Sequence, residues 1–273
     1  MRVNSDEKGL TWQIGVWNQI SQLYVREIDR RFFPVVEAVI NRASLRPGEQ
    51  VLDLGTGTGA AAVRAAVAVG AEGSVVGIDI SQEMLTQARQ TAATLDLQNV
   101  HFEEGRAEAI PAGPAAFDKV LASLSLMYVI DRAAAAREIA RVLRPGGRLA
   151  AAVWADPASC DIVLFQQTAG SFAPPPPVPG VGPGALADPS VFVAQLATAS
   201  IEADVHTEVL GFDFDDFESA WNVLAGVTTA QLGPERREEA KTAVRNVMWP
   251  HGDGPRHFRN TTHFIVGHLG RRA

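Results

Sequence analysis

Short aliphatic runs alternate along this chain with longer stretches in which apolar positions recur every three or four residues. Residues 51–54, 74–78, 100–102, 119–124 and 148–154 are apolar without a period of two, the pattern of strands buried on both faces of a parallel sheet. Residues 59–69, 82–95 and 133–143, lying between them, read as helices. Such strand–helix repetition predicts right-handed crossovers and a doubly wound sheet. Two more strands are expected at 204–210 and 263–268. The expected fold is therefore α/β, with a seven-stranded, mostly parallel sheet.

Residues 12–40 also read as helical, because Trp17, Ile20, Leu23 or Tyr24, and Ile28 recur at helical spacing with Arg26, Asp29 and Arg30 between them. Pro34 is expected to break or restart this helix, and Val35, Val36, Val39 and Ile40 continue its apolar stripe. Composition changes after Trp154. Residues 173–188 hold Pro174 to Pro177, Pro179, Gly180, Gly182, Pro183 and Gly184, a run that can form neither a helix nor a central strand. A surface linker and a substrate lid are both open readings of it. Helical patterning returns at 190–199, 216–224 and 234–247. These shifts divide the chain into an N-terminal helical cap (1–44), a binding core (45–155), a lid or insertion (156–200), and a C-terminal part of the core with a helical insertion and the last strands (201–273).

The 273 residues are 47% hydrophobic, enough for one sizeable core, and the net charge of −7 argues against a nucleic-acid surface. The pairs Arg30-Arg31, Arg236-Arg237 and Arg271-Arg272 are read as solvated helix faces. No apolar run is long enough for stable membrane insertion, and the polar segment Met1 to Lys8 gives no expectation of a secretory signal. The single cysteine, Cys160, suits a reducing, cytoplasmic setting. No His, Asp or Glu cluster has metal-ligand spacing, so no metal is expected.

The first strand ends in Asp53 and leads through Gly55, Thr56, Gly57 and Gly59 into a helix. Glycines there let the backbone turn sharply, and the free N–H groups of the helix start can bind a ligand. A carboxylate two positions before the first glycine suits an ammonium group and would repel a pyrophosphate. Asp79 follows at the end of the second strand, at the separation expected of an acid that binds ribose hydroxyls. Ser81 is a good N-cap for the helix beyond it.

Val51-Leu52-Asp53-Leu54-Gly55-Thr56-Gly57-Thr58-Gly59, Gly77-Ile78-Asp79-Ile80-Ser81, Phe117-Asp118-Lys119-Val120 and Leu143-Arg144-Pro145-Gly146-Gly147 stand in order. Together they resemble the signature segments of class I S-adenosylmethionine-dependent methyltransferases, and most of all the ubiquinone/menaquinone-biosynthesis branch that acts on small molecules. The resemblance implies a Rossmann-like fold with S-adenosyl-L-methionine as cofactor. It assigns Asp53 and the backbone of Gly55, Thr56 and Gly57 to the methionine moiety. Asp79 goes to the ribose, Ile80 and Met84 to the adenine. The family carries Gly-Asp-Ala after the third strand, where this chain has Gly105-Arg106-Ala107-Glu108. Arg106 cannot accept a hydrogen bond from the adenine amine but can stack on the ring, with Glu108 or the Ala107 backbone supplying polar contacts. Ser123 would face the methionine portion.

Methyl transfer from a sulfonium needs chiefly alignment and exclusion of water, so a general base is optional. Tyr128, after the fourth strand, is the candidate catalytic residue; His206, His251, His257 and His263 read better as surface or strand residues. Trp12, Trp17, Tyr24, Phe32 and Phe33, with Phe165 and Phe172, either line an apolar pocket for a lipophilic acceptor or pack the cap. A small-molecule methyltransferase acting on a lipophilic acceptor, such as a natural product or quinone precursor, is thus expected, with homo-oligomerisation through the N-terminal helix open. A cyclase or pericyclic enzyme on the same scaffold and a non-catalytic cofactor-binding protein are the alternatives.

Overall fold

The computed structural model describes residues 5–270; the first residues of the N-terminal cap and the pair Arg271-Arg272 lie outside the described residues. Seven strands form one sheet: β1 (Gln50–Leu54), β2 (Ser74–Asp79), β3 (Val100–Glu104), β4 (Phe117–Ser123), β5 (Leu143–Trp154), β6 (Ile201–Phe214) and β7 (Arg256–Leu269), in the order β3-β2-β1-β4-β5-β7-β6. β7 runs antiparallel to β5 and β6, and the remaining pairs are parallel. Val51, Leu52, Val120 and Leu121 are fully buried, as central strands covered on both faces require. Strand order reverses between β1 and β4, which opens a crevice beyond their carboxyl ends.

Helices α2 (Asp29–Ala43), α3 (Ala60–Val69) and α4 (Gln82–Thr94) contact one another in one layer, while α5 (Arg132–Val142) packs on α7 (Ser190–Thr198), which lies against β6. Ser81 caps α4 as expected, its hydroxyl accepting the Met84 N–H at 3.1 Å. α6 (Asp161–Gly170), α8 (Phe217–Leu224), α9 (Gly226–Thr229) and α10 (Pro234–Met248) form a cap whose core is aromatic. Phe165 packs on Trp221 and Phe258, and Phe217 on Trp249. Phe165 therefore belongs to the cap core.

The N-terminal helix departs from expectation. α1 (Ser5–Leu23) passes through one π-helical turn, Tyr24–Ile28, before α2, and Pro34 lies inside α2 without breaking it. Burial of Phe32, Val35, Val36 and Val39 on one stripe outweighs the backbone hydrogen bond that proline removes. The wide turn comes ten residues earlier than the proline.

Residues 173–188 form neither helix nor strand, as expected, but they are not a free linker. The Gly182 N–H donates to the Met127 carbonyl at 3.0 Å, and Arg132 donates to the carbonyls of Met127 and Gly180. Val178 presses on α1 so closely that a Cβ at Gly9 would stand 2.3 Å from its Cγ2. The loop thus joins α1 to the 3₁₀ turn Leu126–Tyr128. β6 and β7 extend beyond their expected ends, pairing in unbroken register from Ile201 opposite Leu269 to Phe214 opposite Arg256, with Ile201 and Phe214 buried at the two ends of β6.

Candidate active site

The loop after β1 is built on backbone that side chains tolerate poorly. Gly55, Gly57 and Gly59 have φ of 65°, 55° and 85°, and a Cβ at Gly55 would meet the Ser125 Cβ at 2.5 Å. Two bonds tie this loop to β2: Thr56 N–H to the Ile78 carbonyl and Gly57 N–H to Asp79 Oδ2, each 2.9 Å. Asp79 Oδ1 accepts the Ser81 N–H at 2.9 Å. The carboxylate is buried, and that burial raises its pKa even against three backbone donors.

Asp79 lies on a cavity of about 130 Å³ at the β1/β4 crevice. Gly55, Gly57, Ile80, Met84, Gly105, Arg106, Ala107, Glu108, Ser123 and Tyr128 line the same cavity, so most of the expected residues come together. Asp53, Thr56 and Gly59 do not line it. The Asp53 carboxylate instead accepts the Thr56 hydroxyl at 2.7 Å and the Ala62 N–H, bracing the loop from behind. Burial pushes its pKa up to about 7. Gly59 starts α3 and packs near Ala88 and Phe102. At the other end, Glu108 pairs with Arg106 at 3.4 Å and accepts the Ile130 and Asp131 N–H groups.

Four lining residues come from α1 and the π turn: Leu10, Gln13, Trp17 and Tyr24. Trp17 and Tyr24 belong to the aromatic set expected near a pocket, whereas Gln13 had no such expectation. Its Nε2 donates to the Tyr128 carbonyl at 3.0 Å. The signal that could have found it is a glutamine on the buried stripe Gly9, Val16, Ile20. Leu124 was also missed: it holds a φ of 59°, uncommon for a branched side chain, where the chain leaves β4 beside the cavity. Asn18 accepts the Ser81 hydroxyl at 2.6 Å, and Asp29 accepts the Thr58 hydroxyl at 2.8 Å, so α1 and α2 hold both binding loops. Burial pushes Asp29 up to about 6.

A second, smaller cavity adjoins the first and shares Trp17, Tyr24, Leu124 and Tyr128 with it. Phe32, Trp154, Leu224 and Val227 are among its walls. Burial raises the pKa of both tyrosines, so each hydroxyl stays protonated at neutral pH. The histidines are elsewhere. His257 pairs with Asp213 at 2.8 Å, His263 bonds Thr207 at 2.9 Å, and His206 and His251 are exposed. No cluster suited to a metal ion occurs among the described residues.

Residues 45–167 match the family model of a methyltransferase domain. The 27-O-demethylrifamycin SV methyltransferase of Amycolatopsis mediterranei is 37% identical over 168 residues, covering 60% of this chain and 58% of that one. The ubiquinone/menaquinone biosynthesis C-methyltransferase UbiE of Serratia proteamaculans is 36% identical over 135 residues, covering 49% and 51%. The chain matches both about equally, so the ubiquinone/menaquinone type is one of several similar groups. This chain aligns with about half the length of these curated relatives. The YcgJ protein of Bacillus subtilis shares the fold, with a TM-score of 0.64 at 22% identity, over 88% of this chain and all of that one.

Proposed function

We propose that residues 45–167 form a class I S-adenosylmethionine-dependent methyltransferase domain and that the chain methylates a small, lipophilic molecule at carbon, oxygen or nitrogen. The observation that carries this reading is the meeting of two unlike cavities at Tyr24, Leu124 and Tyr128. One holds a glycine loop and a buried acid, and the other is apolar.

The first cavity fits S-adenosylmethionine by its donor set. Each Asp79 oxygen already accepts a backbone N–H and keeps a lone pair for a ribose hydroxyl, while Ile80 and Met84 offer an apolar face for the adenine. We assign the methionine end to Gly55, Gly57 and Ser123, with Asp53 and Thr56 bracing the loop. When bound, S-adenosylmethionine would supply a sulfonium-activated methyl carbon; an electron pair of the acceptor would displace S-adenosylhomocysteine from it, and the acceptor's proton would pass to solvent. Tyr128, protonated at neutral pH, holds the acceptor by a hydrogen bond and does not remove its proton. α1 and residues 173–188 exclude water from the junction.

A natural-product acceptor is in keeping with the Amycolatopsis relative, which is named for a rifamycin. A cytoplasmic setting is in keeping with Cys160, which is buried and unpaired. No described helix is long and apolar enough to cross a membrane. Self-association through α1 draws little support, because Trp17 turns into the cavities and the exposed apolar residues nearby are Val25 and Phe33.

The test is transfer of labelled methyl from S-adenosylmethionine to a panel of phenols, enols and amines. Labelled product is expected. Binding of S-adenosylhomocysteine without transfer to any acceptor would favour a cyclase or a binding role. Absence of binding in calorimetry would overturn the reading.

A further inference from the structure

Apart from its indole rings, the second cavity is lined by three polar side chains, Tyr24, Tyr128 and Gln166, and among the described residues no charged side chain lines it. Gln166 is buried on α6, between the apolar neighbours Phe165 and Ala169 of the same helix face. Its Nε2 donates to the Leu224 carbonyl at 2.8 Å, which fixes the two ends of the amide. Its Oε1 is buried and has no partner. Tethering α6 to the end of α8 accounts for the nitrogen and leaves the oxygen unexplained. A buried amide oxygen without a donor is unfavourable, and a leucine would fill this helix position without that cost.

We propose that Gln166 is a specificity residue whose Oε1 accepts a hydrogen bond from a hydroxyl or amide N–H on a neutral, otherwise apolar acceptor. The proposal rests on the methyl-transfer reading and deepens it by naming what the second cavity selects. Gln166 lines only that cavity, so its contact is with the acceptor and not with the methyl donor. A carboxylate or ammonium seated between Phe32, Trp154 and Leu224 would lie in apolar surroundings without a counter-ion. A molecule lacking the donor would leave Oε1 orphaned and gain only apolar contact.

Naphthol, its methyl ether and naphthoate serve as probes, since they share one apolar frame and differ in donor and charge. Their binding is measured by calorimetry, with and without saturating S-adenosylhomocysteine. Naphthol is expected to bind on the order of ten-fold more tightly than the ether, with naphthoate weaker than both. Gln166→Leu is expected to bring naphthol and ether within about two-fold of each other while leaving S-adenosylhomocysteine affinity unchanged. Gln166→Glu keeps the preference, because a protonated carboxyl can donate to Leu224 and retain an accepting oxygen. Equal binding of naphthol and ether by the wild-type chain overturns the proposal even if Gln166→Leu fails to fold. So does a preference that survives Gln166→Leu, or the absence of binding by all three probes. Failure of S-adenosylhomocysteine to bind is read separately and counts against the methyl-transfer reading instead.

Discussion

Asp79 Oδ2 accepts the Gly57 N–H at 2.9 Å, so the acid that ends β2 and the glycine loop that follows β1 are positioned as one unit. Asp79→Asn keeps the volume but can accept only through one oxygen. One of the two N–H groups, Gly57 or Ser81, then faces an amide donor. Loss of that bond and of a charge-assisted contact to the ribose predicts weaker S-adenosylmethionine binding, on the order of a hundred-fold. Calorimetry on folded variant checks it, and an affinity within two-fold of wild type would remove Asp79 from the binding site.

Asp53 has a different task. Its carboxylate meets Thr56 and Ala62 and does not line the cavity, so it acts on the loop more than on a ligand. Asp53→Asn keeps one accepting oxygen for the Thr56 hydroxyl, gives up a carboxylate acceptor near the Ala62 N–H, and is expected to lose less affinity for the methyl donor than Asp53→Ala. Asp53→Ala leaves that hydroxyl buried and unpartnered, at a cost of about 1–3 kcal/mol in unfolding free energy, and loosens the loop. If charge attraction to the ligand's ammonium were the main effect, both variants would lose affinity alike. Denaturation and binding titrations on the pair decide.

These two acids mark what the sequence could and could not reveal. The glycine loop, Asp79, Ser81 and the parallel core strands are local features, and residues 51–54 read as a buried strand because the run is aliphatic apart from Asp53. The direction of the Asp53 side chain depends on where α3 begins, so its bond to Thr56 could not be read from spacing alone. Gln13, Leu124 and Gln166 reach the cavities from α1, the β4 exit and α6, which lie far apart in the chain. No local pattern brings them together. Pro34 carried a breaker signal that α2 overrides by packing, while the π turn at Tyr24–Ile28 has no residue that announces it.

Asp29 makes stability pH-dependent. Burial pushes its pKa from 3.8 to about 6, against the Thr58 hydrogen bond and the Arg64 charge. The folded state therefore holds a proton that the unfolded chain has released. This contribution is fully present below about pH 4 and is lost as pH rises through 6. Asp29→Asn, which still accepts from Thr58, should gain up to about 3 kcal/mol relative to wild type between pH 4 and pH 8. Urea denaturation at both pH values checks it; a constant difference between the two proteins would contradict the assignment.

The loop 173–188 is tied to the Leu126–Tyr128 turn by Arg132 and to α1 by Val178 against Gly9. Arg132→Ala removes the tie from the 3₁₀ turn to Gly180, and Gly9→Ala forces Val178 away from α1. If the loop is a lid, both variants should raise KM for the acceptor several-fold while leaving S-adenosylhomocysteine affinity within about two-fold. If it is only a linker, KM stays unchanged and the melting temperature alone falls. Proteolysis within 173–188 should quicken in either case, so the kinetic readout is the one that discriminates.

Tyr128 packs edge-on to Trp17, with ring centroids 4.9 Å apart, and lines both cavities. Its raised pKa leaves almost no phenolate at neutral pH. Tyr128→Phe preserves the ring contact and removes only the hydrogen bond. A positioning role predicts about a ten-fold loss of kcat/KM toward whichever acceptor the labelled-methyl screen yields, with the pH–rate profile unmoved. A general base would instead cost roughly 10²–10⁴-fold and abolish the limb of the profile that it governs. Measuring the profile of wild type and variant from pH 6 to pH 10 separates the two, because a hydrogen bond that only orients the acceptor has no titration of its own in that window.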